Sequence, residues 1–260
     1  MQFSIIVATN RGPELLKYLF VSTHPESELI VVDSHYNEKT KDFLSRQEGY
    51  RQIVYAPPEH SPFRWHRDFS QSLNTALCLA EHEYIIRADD YIEFKEDFFD
   101  VAEMDVKSYP EKTLIIGQKA QEYNKEEKFV DYMSQRGIGG EFRYVNIENP
   151  AFTFSFGVAP LQLYLDLNGY DERYDSGWGF EDRDFLHRAL KAGYVAMLDK
   201  LLMGYGHAHK PAWETISMPH IIYEVTKTEI ESGKVWAYNP YKLKDRREQK
   251  LQEKEKWIVR

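Results

Sequence analysis

Four short apolar runs, each closing near a polar residue and each separated from the next by a helical pattern, restrict this chain to few architectures. Phe3 to Thr9 (FSIIVAT) is apolar on nearly every position, as a strand buried on both faces must be, and it stops at Asn10-Arg11-Gly12-Pro13. Glu28 to Asp33 (ELIVVD), Arg51 to Tyr55 (RQIVY) and Glu83 to Ala88 (EYIIRA) repeat the pattern. Between them, Glu14 to Val21 places Leu15, Leu16, Leu19 and Phe20 at helical spacing, and Ser70 to Ala80 does the same with Leu73, Ala76, Leu77 and Ala80. Thr40 to Glu48 is a third, more polar helix. The alternation predicts βαβ units and an α/β fold with a mainly parallel sheet flanked by helices.

Beyond Asp90 the rhythm changes. Phe94 to Val106 reads as a helix, Thr113 to Gln118 as a strand, and Glu122 to Asn149 as a long polar excursion. Ala151 to Val158 (AFTFSFGV) alternates aromatic and small residues, as a strand against a partly wet cleft would. A helix over Glu181 to Ala192 and a strand over Tyr194 to Met197 follow. The charged tail from Lys242 reads as a solvated helix docked through Leu251, Trp257 and Ile258. There is no internal repeat and no low-complexity linker.

Composition narrows the function classes. With 42% hydrophobic and 15% aromatic residues the chain can build a real core. Its 33 basic and 42 acidic side chains leave a net charge of −9, which argues against a nucleic-acid partner. A single cysteine, Cys78, rules out an intramolecular disulfide framework and a Cys-rich zinc site. No apolar run is long enough to span a bilayer and no signal-peptide pattern opens the sequence. The expectation is a cytoplasmic protein without a transmembrane segment, with peripheral membrane contact left open.

In an open α/β sheet, ligands bind beyond the carboxyl ends of the parallel strands, so Thr9, Asn10 and Arg11, then Asp33, then Asp89 and Asp90 are the residues to inspect. Neither a P-loop nor G-x-G-x-x-G follows the first strand, which excludes a Walker ATPase and a dinucleotide-binding Rossmann domain. Adjacent carboxylates such as Asp89 and Asp90 repel unless a cation screens them, and a hard divalent ion carrying diphosphate oxygens is one such cation. An exposed turn is the blander reading. In Tyr174 to Asp184 (YDSGWGFEDRD), Gly177 and Gly179 flank Trp178 ahead of Glu181, Asp182 and Asp184. Acidic residues suit the first turn of a helix, where they offset its dipole. A tryptophan on a glycine loop beside carboxylates also suits a sugar, and a carboxylate there can act as general base. His207 and His209 are two apart and share one face of an extended segment, so two imidazoles can share one ion; a surface pair or a single core histidine is the blander reading. Arg64, His66 and Arg67 form a small basic cluster.

Taken in order, these segments resemble the GT-A fold glycosyltransferases, especially the inverting family-two enzymes. Their "SIIVPTYNR" resembles Phe3 to Arg11, and their "EIIVVDDGS" resembles Glu28 to Ser34. Their "ALNxGLxxAxGEYIxxxDxDD" resembles Ser72 to Leu77 followed by Ala80 to Asp90. Leu167 to Tyr174 (LNGYDERY) and Gly177 to Phe185 (GWGFEDRDF) are similar to the acceptor-side motif of chondroitin-polymerase-like and β-1,4-galactosyltransferase-like enzymes. The resemblance implies a GT-A (Rossmann-like), mixed, mainly parallel sheet over 1–215 with a helical extension over 216–260. It implies transfer of a hexosyl or N-acetylhexosaminyl unit from a nucleotide sugar, usually UDP-linked, to a glycan, glycolipid or other hydroxyl acceptor, as in polysaccharide biosynthesis.

Position by position, the resemblance assigns Thr9, Asn10, Arg11 and Asp33 to the nucleoside and Asp182 to the base. Glu181, Trp178, Gly179 and Asp184 fall on the acceptor side. Asp89, with His207 or His209 and less readily Asp90, is assigned to Mn²⁺ or Mg²⁺. Arg67 is placed near the diphosphate. Arg87 stands where the first aspartate of the family's D-x-D motif belongs; a guanidinium cannot ligate metal but binds phosphate or ribose hydroxyls. Two other readings stand beside this one: a sugar-phosphate nucleotidyltransferase, and a non-catalytic nucleotide-sugar-binding GT-A domain.

Overall fold

The computed structural model describes residues 1–59, 68–109, 112–123, 128–131, 143–149, 152–176, 179–208 and 217–260. The apolar runs form the parallel strands expected of them: β1 (Phe3–Thr9), β2 (Glu28–Asp33), β3 (Gln52–Ala56) and β4 (Tyr84–Arg87), with β1 at the centre of this group. Alternation carries β1 into two cores at once. Ile6 and Ala8 pack with Ile30, Val32, Leu73 and Leu77 on one side of the sheet. Ile5 and Val7 pack with Leu29, Val31, Leu16 and Leu44 on the other. A strand with both faces covered has no room for polar alternation, which explains the continuous apolar runs.

The second half extends the same sheet. The remaining strands are β5 (Ile92–Phe94), β6 (Thr113–Tyr123), β7 (Lys128–Asp131), β8 (Tyr144–Asn146), β9 (Gly157–Pro160) and β10 (Val195–Gly206). Among the described residues the sheet has ten strands in the order β3-β2-β1-β4-β9-β6-β10-β5, with β7 added to β6 and β8 to β10. Antiparallel β9 sits between β4 and β6, so β4, β6 and β10 run the same way and their carboxyl ends share one edge. The close approach needs glycine: a Cβ on Gly117 would lie 2.7 Å from the Phe156 ring.

The helices are α1 (Pro13–Leu16), α2 (Glu38–Ser45), α3 (Phe69–Leu79), α4 (Phe98–Ser108), α5 (Leu161–Asp166), α6 (Glu181–Lys191), α7 (Ser217–Glu231) and α8 (Leu243–Glu253). Asn37 caps α2, its side chain accepting from Thr40 N at 2.9 Å. The cap of α3 comes from a distant segment instead. Asp175 accepts from Ser70 N at 2.6 Å and from Gln71 N at 3.0 Å, and Asn74 in turn accepts from Tyr170 N at 2.8 Å. The Leu167–Tyr174 motif and its neighbour Asp175 are thereby tied to α3. Among the described residues no helix is long and apolar enough to cross a membrane.

Several expectations need correction. The helix expected from Phe94 begins at Phe98, because Phe94 pairs with Gly204 in β5. The α-helical turn of α1 tightens into a 3₁₀-helix over Lys17–Phe20. The strand expected over Ala151–Val158 is confined to Gly157–Pro160, and Phe154 and Phe156 are buried in the core rather than beside a wet cleft. The polar excursion contains β7 and β8, and β10 runs nine residues beyond Met197. The tail is a helix; Trp257 and Ile258 pack against the core as expected, but Leu251 is not among the packed residues, and buried Leu243 and charged groups add to the anchorage.

These charged anchors are unusual. Lys254 lies fully inside, ion-paired to buried Glu28 and 3.0 Å from Glu81, while Arg246 bonds Glu59 at 2.9 Å and Glu172 at 2.6 Å. Glu28 also accepts from Ser4 Oγ and from Glu81 N on its other oxygen, so both its oxygens are engaged. Beyond α8, Val259 N donates to Ile53 O at 2.9 Å and covers the β3 edge. Removing one partner of such a pair strands a buried charge. Lys254→Ala is expected to destabilise the fold by about 3–5 kcal/mol, measured by urea denaturation, and a loss below about 1 kcal/mol would show that the pair anchors nothing.

Candidate active site

The carboxyl-terminal edge of the sheet encloses a cavity of about 240 Å³. Its walls come from the β1 end (Thr9, Asn10, Arg11), the β4 end (Arg87, Asp89, Asp90, Tyr91), β6 (Lys119), the approach to β9 (Ser155) and the start of α6 (Gly179, Glu181, Asp182). Asp89 and Asp182, far apart in the chain, thus face one space. Gly179 and Phe180 both adopt positive φ, 82° and 72°, and this left-handed turn swings the α6 amino end toward the cavity. Glu181 and Asp182 then sit in a first turn where the helix dipole favours their charge.

The two adjacent carboxylates at the β4 end have separate partners. Asp90 is locked to β1, accepting from Thr9 Oγ1 at 2.7 Å and from Arg11 Nη1 at 3.0 Å. Burial nevertheless pushes its carboxyl up to about 6. Asp89 accepts from Lys119 Nζ at 2.9 Å, from the Tyr91 hydroxyl at 3.0 Å and from Arg87 Nη1 at 3.4 Å. Although it is buried, the Lys119 and Arg87 charges hold its carboxyl down at about 2. Arg87 itself is 1% exposed and also donates to the Ser155 carbonyl. Glu181 and Asp182 behave oppositely. Burial, then the neighbouring Asp182, pushes Glu181 up to about 8, and burial raises Asp182 as well.

Other residues expected at the site lie elsewhere. Asp184 is fully buried and ion-paired to Arg188, whose Nε is 2.7 Å away, so it holds α6 in the core rather than contacting an acceptor. Asp33 is also fully buried: it accepts from His35 N and from the Tyr55 hydroxyl, both at 2.8 Å, and Ser34 takes its place on the cavity wall. His207 stacks on Tyr18 with ring centroids 3.4 Å apart and bonds Glu93 at 2.7 Å; it is not on the cavity wall. Arg64, His66, Arg67, Trp178 and His209 lie outside the described residues. Lys119 and Ser155 were not expected from sequence. No motif surrounds either, and their place depends on β9 packing between β4 and β6.

The metal site implied by the resemblance does not fit the donors in place. Among the described residues no three carboxylate, histidine or cysteine groups cluster to hold an ion. Asp89 already faces an ammonium and a guanidinium, Asp90 serves Arg11 and Thr9, and His207 serves Glu93.

Comparison with known proteins bears on the fold. The structure superposes on Staphylococcus aureus TarS 1–349 with a TM-score of 0.64 at 14% identity, covering 96% of this chain and 69% of that one. The TarS 1–349 complex with UDP-GlcNAc gives 0.64 at 16% identity, covering 97% and 71%. GalNAc-T7 with UDP, GalNAc and Mn²⁺ gives 0.64 at 13% identity, with 95% of this chain matched to 54% of that one. The fold is GT-A. Residues 145–209 also match a family model described as the N-terminal domain of galactosyltransferase, a stretch that holds Ser155, Glu181 and Asp182. No curated protein matches the chain.

The Glu181–Asp182 pair has a thermodynamic signature. The unfolded chain releases the Glu181 proton near the ordinary carboxyl value of about 4.3, whereas the folded chain keeps it to about 8. Between those values the native state binds more protons, so stability falls as pH rises, by at most about 1.4 kcal/mol per pH unit. Glu181→Gln removes this contribution. The stability difference between variant and native protein, from denaturant melts between about pH 5 and pH 8, is expected to move in the variant's favour as pH increases. A pH-independent difference would contradict the assignment.

Proposed function

We propose that this chain is an inverting glycosyltransferase, moving a sugar from a nucleotide-sugar donor to an acceptor hydroxyl with Asp182 as general base. The supporting observation is the convergence of Asp182 and Asp89 on one cavity, with cations gathered at the Asp89 end. Inverting displacement needs a base behind the incoming hydroxyl and positive charge on the departing diphosphate, at opposite sides of the sugar. A carboxylate raised by burial is a stronger base than one in water, which suits Asp182 to the first task. Glu181 beside it orients the acceptor, with Gly179 on the acceptor side. Thr9, Asn10, Arg11 and Ser34 form the wall assigned to the nucleoside.

A UDP-linked hexosyl or N-acetylhexosaminyl donor is the reading we favour, because the structural neighbours TarS and GalNAc-T7 are described with UDP-GlcNAc and with UDP and GalNAc respectively. The acceptor in this reading is a hydroxyl of a glycan, a glycolipid or another hydroxyl-bearing molecule. Residues 1–215 form the catalytic unit in this reading and 216–260 its extension.

Asp182→Asn is expected to lower kcat by about 10²–10⁴-fold, while donor affinity measured by calorimetry stays within a few-fold of native. Donor hydrolysis without acceptor should fall with it. Donor binding with neither transfer nor hydrolysis in the native protein would instead favour a non-catalytic binding domain. Turnover of a nucleoside triphosphate with a sugar phosphate would favour a nucleotidyltransferase.

A further inference from the structure

Resting on the glycosyltransferase reading, we infer that Lys119 and Arg87 replace the divalent cation of this site: they bind the donor's diphosphate and carry the leaving-group charge without metal. The position a metal would share with Asp89 is held by the Lys119 ammonium at 2.9 Å, with the Arg87 guanidinium on the other carboxylate oxygen at 3.4 Å. A divalent ion placed there meets two positive charges before it meets a second ligand. Their combined formal charge equals that of the ion they displace.

Both cations retain capacity for a phosphate. The Lys119 ammonium has three N–H donors, and two are used, on Asp89 and on Ser155 Oγ at 2.6 Å. Among the described residues, Arg87 Nε–H is buried without a hydrogen-bond partner, a costly state in a protein interior unless a ligand completes it. Both side chains line the cavity, and Lys119 is 15% exposed, reachable from it. Two cations against one carboxylate leave positive charge to spare beside Asp89; both cations also act on Asp182, and Arg87 acts on Glu181. Cations beside a carboxylate base suit a reaction in which negative charge develops on the departing diphosphate while the acceptor's proton leaves to the base.

In this step the bond from the sugar's anomeric carbon to the β-phosphate oxygen breaks, and its electron pair stays on the nucleoside diphosphate. The acceptor oxygen forms the new bond to that carbon, and its proton passes to the Asp182 carboxylate. Lys119 and Arg87 keep their protons and act by charge and hydrogen bonding alone. Lys119 is then a catalytic residue, in contact with the leaving group, and Asp89 holds the two cations in place.

The test is calorimetric binding of UDP, GDP and CDP, and of the parent nucleosides, in EDTA and in millimolar Mn²⁺ or Mg²⁺. The preferred diphosphate is expected to bind in EDTA within about twofold of its affinity with metal. Lys119→Met is expected to weaken that diphosphate at least tenfold and leave the nucleoside unchanged, a split that a purely structural lysine would not produce. Lys119→Arg, which keeps the charge, should recover most of the loss, and the unchanged nucleoside affinity of Lys119→Met shows that it folds. Diphosphate binding that needs metal, or that is untouched in Lys119→Met, overturns this inference alone. Failure of every nucleotide to bind in every buffer overturns it together with the glycosyltransferase reading.

Discussion

A carboxylate at the buried end of a strand persists as an anion only if cations reach it, and here that requirement joins distant parts of the chain. Asp90 is met by Thr9 and Arg11 from the β1 end, which ties the first strand to the fourth. Asp89 is met by Arg87 from its own strand and by Lys119 from β6. Because β9 runs antiparallel between β4 and β6, the two strands carrying these groups point the same way, and the end of β4 lies level with Ile116 of β6, just before Lys119. The cavity exists where those ends meet. Its charges are placed by the sheet rather than by any one loop.

The opposite wall follows different physics. The left-handed residues Gly179 and Phe180 aim α6 so that its first turn opens on the cavity, while Asp184 and Arg188, one turn further along, hold the same helix to the core. The helix serves two functions in successive turns: a buried ion pair for anchorage and, before it, a carboxylate pair on the cavity wall, where burial outweighs the nearby Arg87 charge and raises both groups. That contrast separates Asp89, kept ionised, from Glu181, kept protonated near neutrality. In the proposed transfer, the raised carboxylate takes the acceptor's proton while the cations beside Asp89 meet the leaving group.

The structure also explains why charged residues in the tail are not all solvated. Lys254 and Arg246 reach buried or half-buried glutamates on the sheet, on the loop after β3 and on the 3₁₀-helix before α6. Together with Val259 on the β3 edge they bind the last helix to the domain through polar contacts. A helix so charged reads as surface by composition, and only its partners reveal otherwise.

What the amino-acid order determined by itself is considerable. Strands β1 to β4 were readable because burial on both faces demands unbroken apolar runs, and α3 and α6 because their apolar faces repeat at helical spacing. Asp89, Glu181 and Asp182 stood out as strand-end and helix-start carboxylates, and all three line the cavity. The Asp184–Arg188 pair, four residues apart on one helix, was not read: Asp184 follows two other acidic residues that do line the cavity, and nothing local separates its role from theirs. Short strands such as β5 carry too few residues for a period. Lys119, Ser155 and the true partner of His207 were beyond local reading, since Lys119 gains its meaning only when β6 is set beside β9, and His207 only when Glu93 is brought across from β5. Hydrophobic periodicity is a local property and survives in sequence. Electrostatic pairing across a sheet is a property of strand order, and strand order was decided by the tertiary structure.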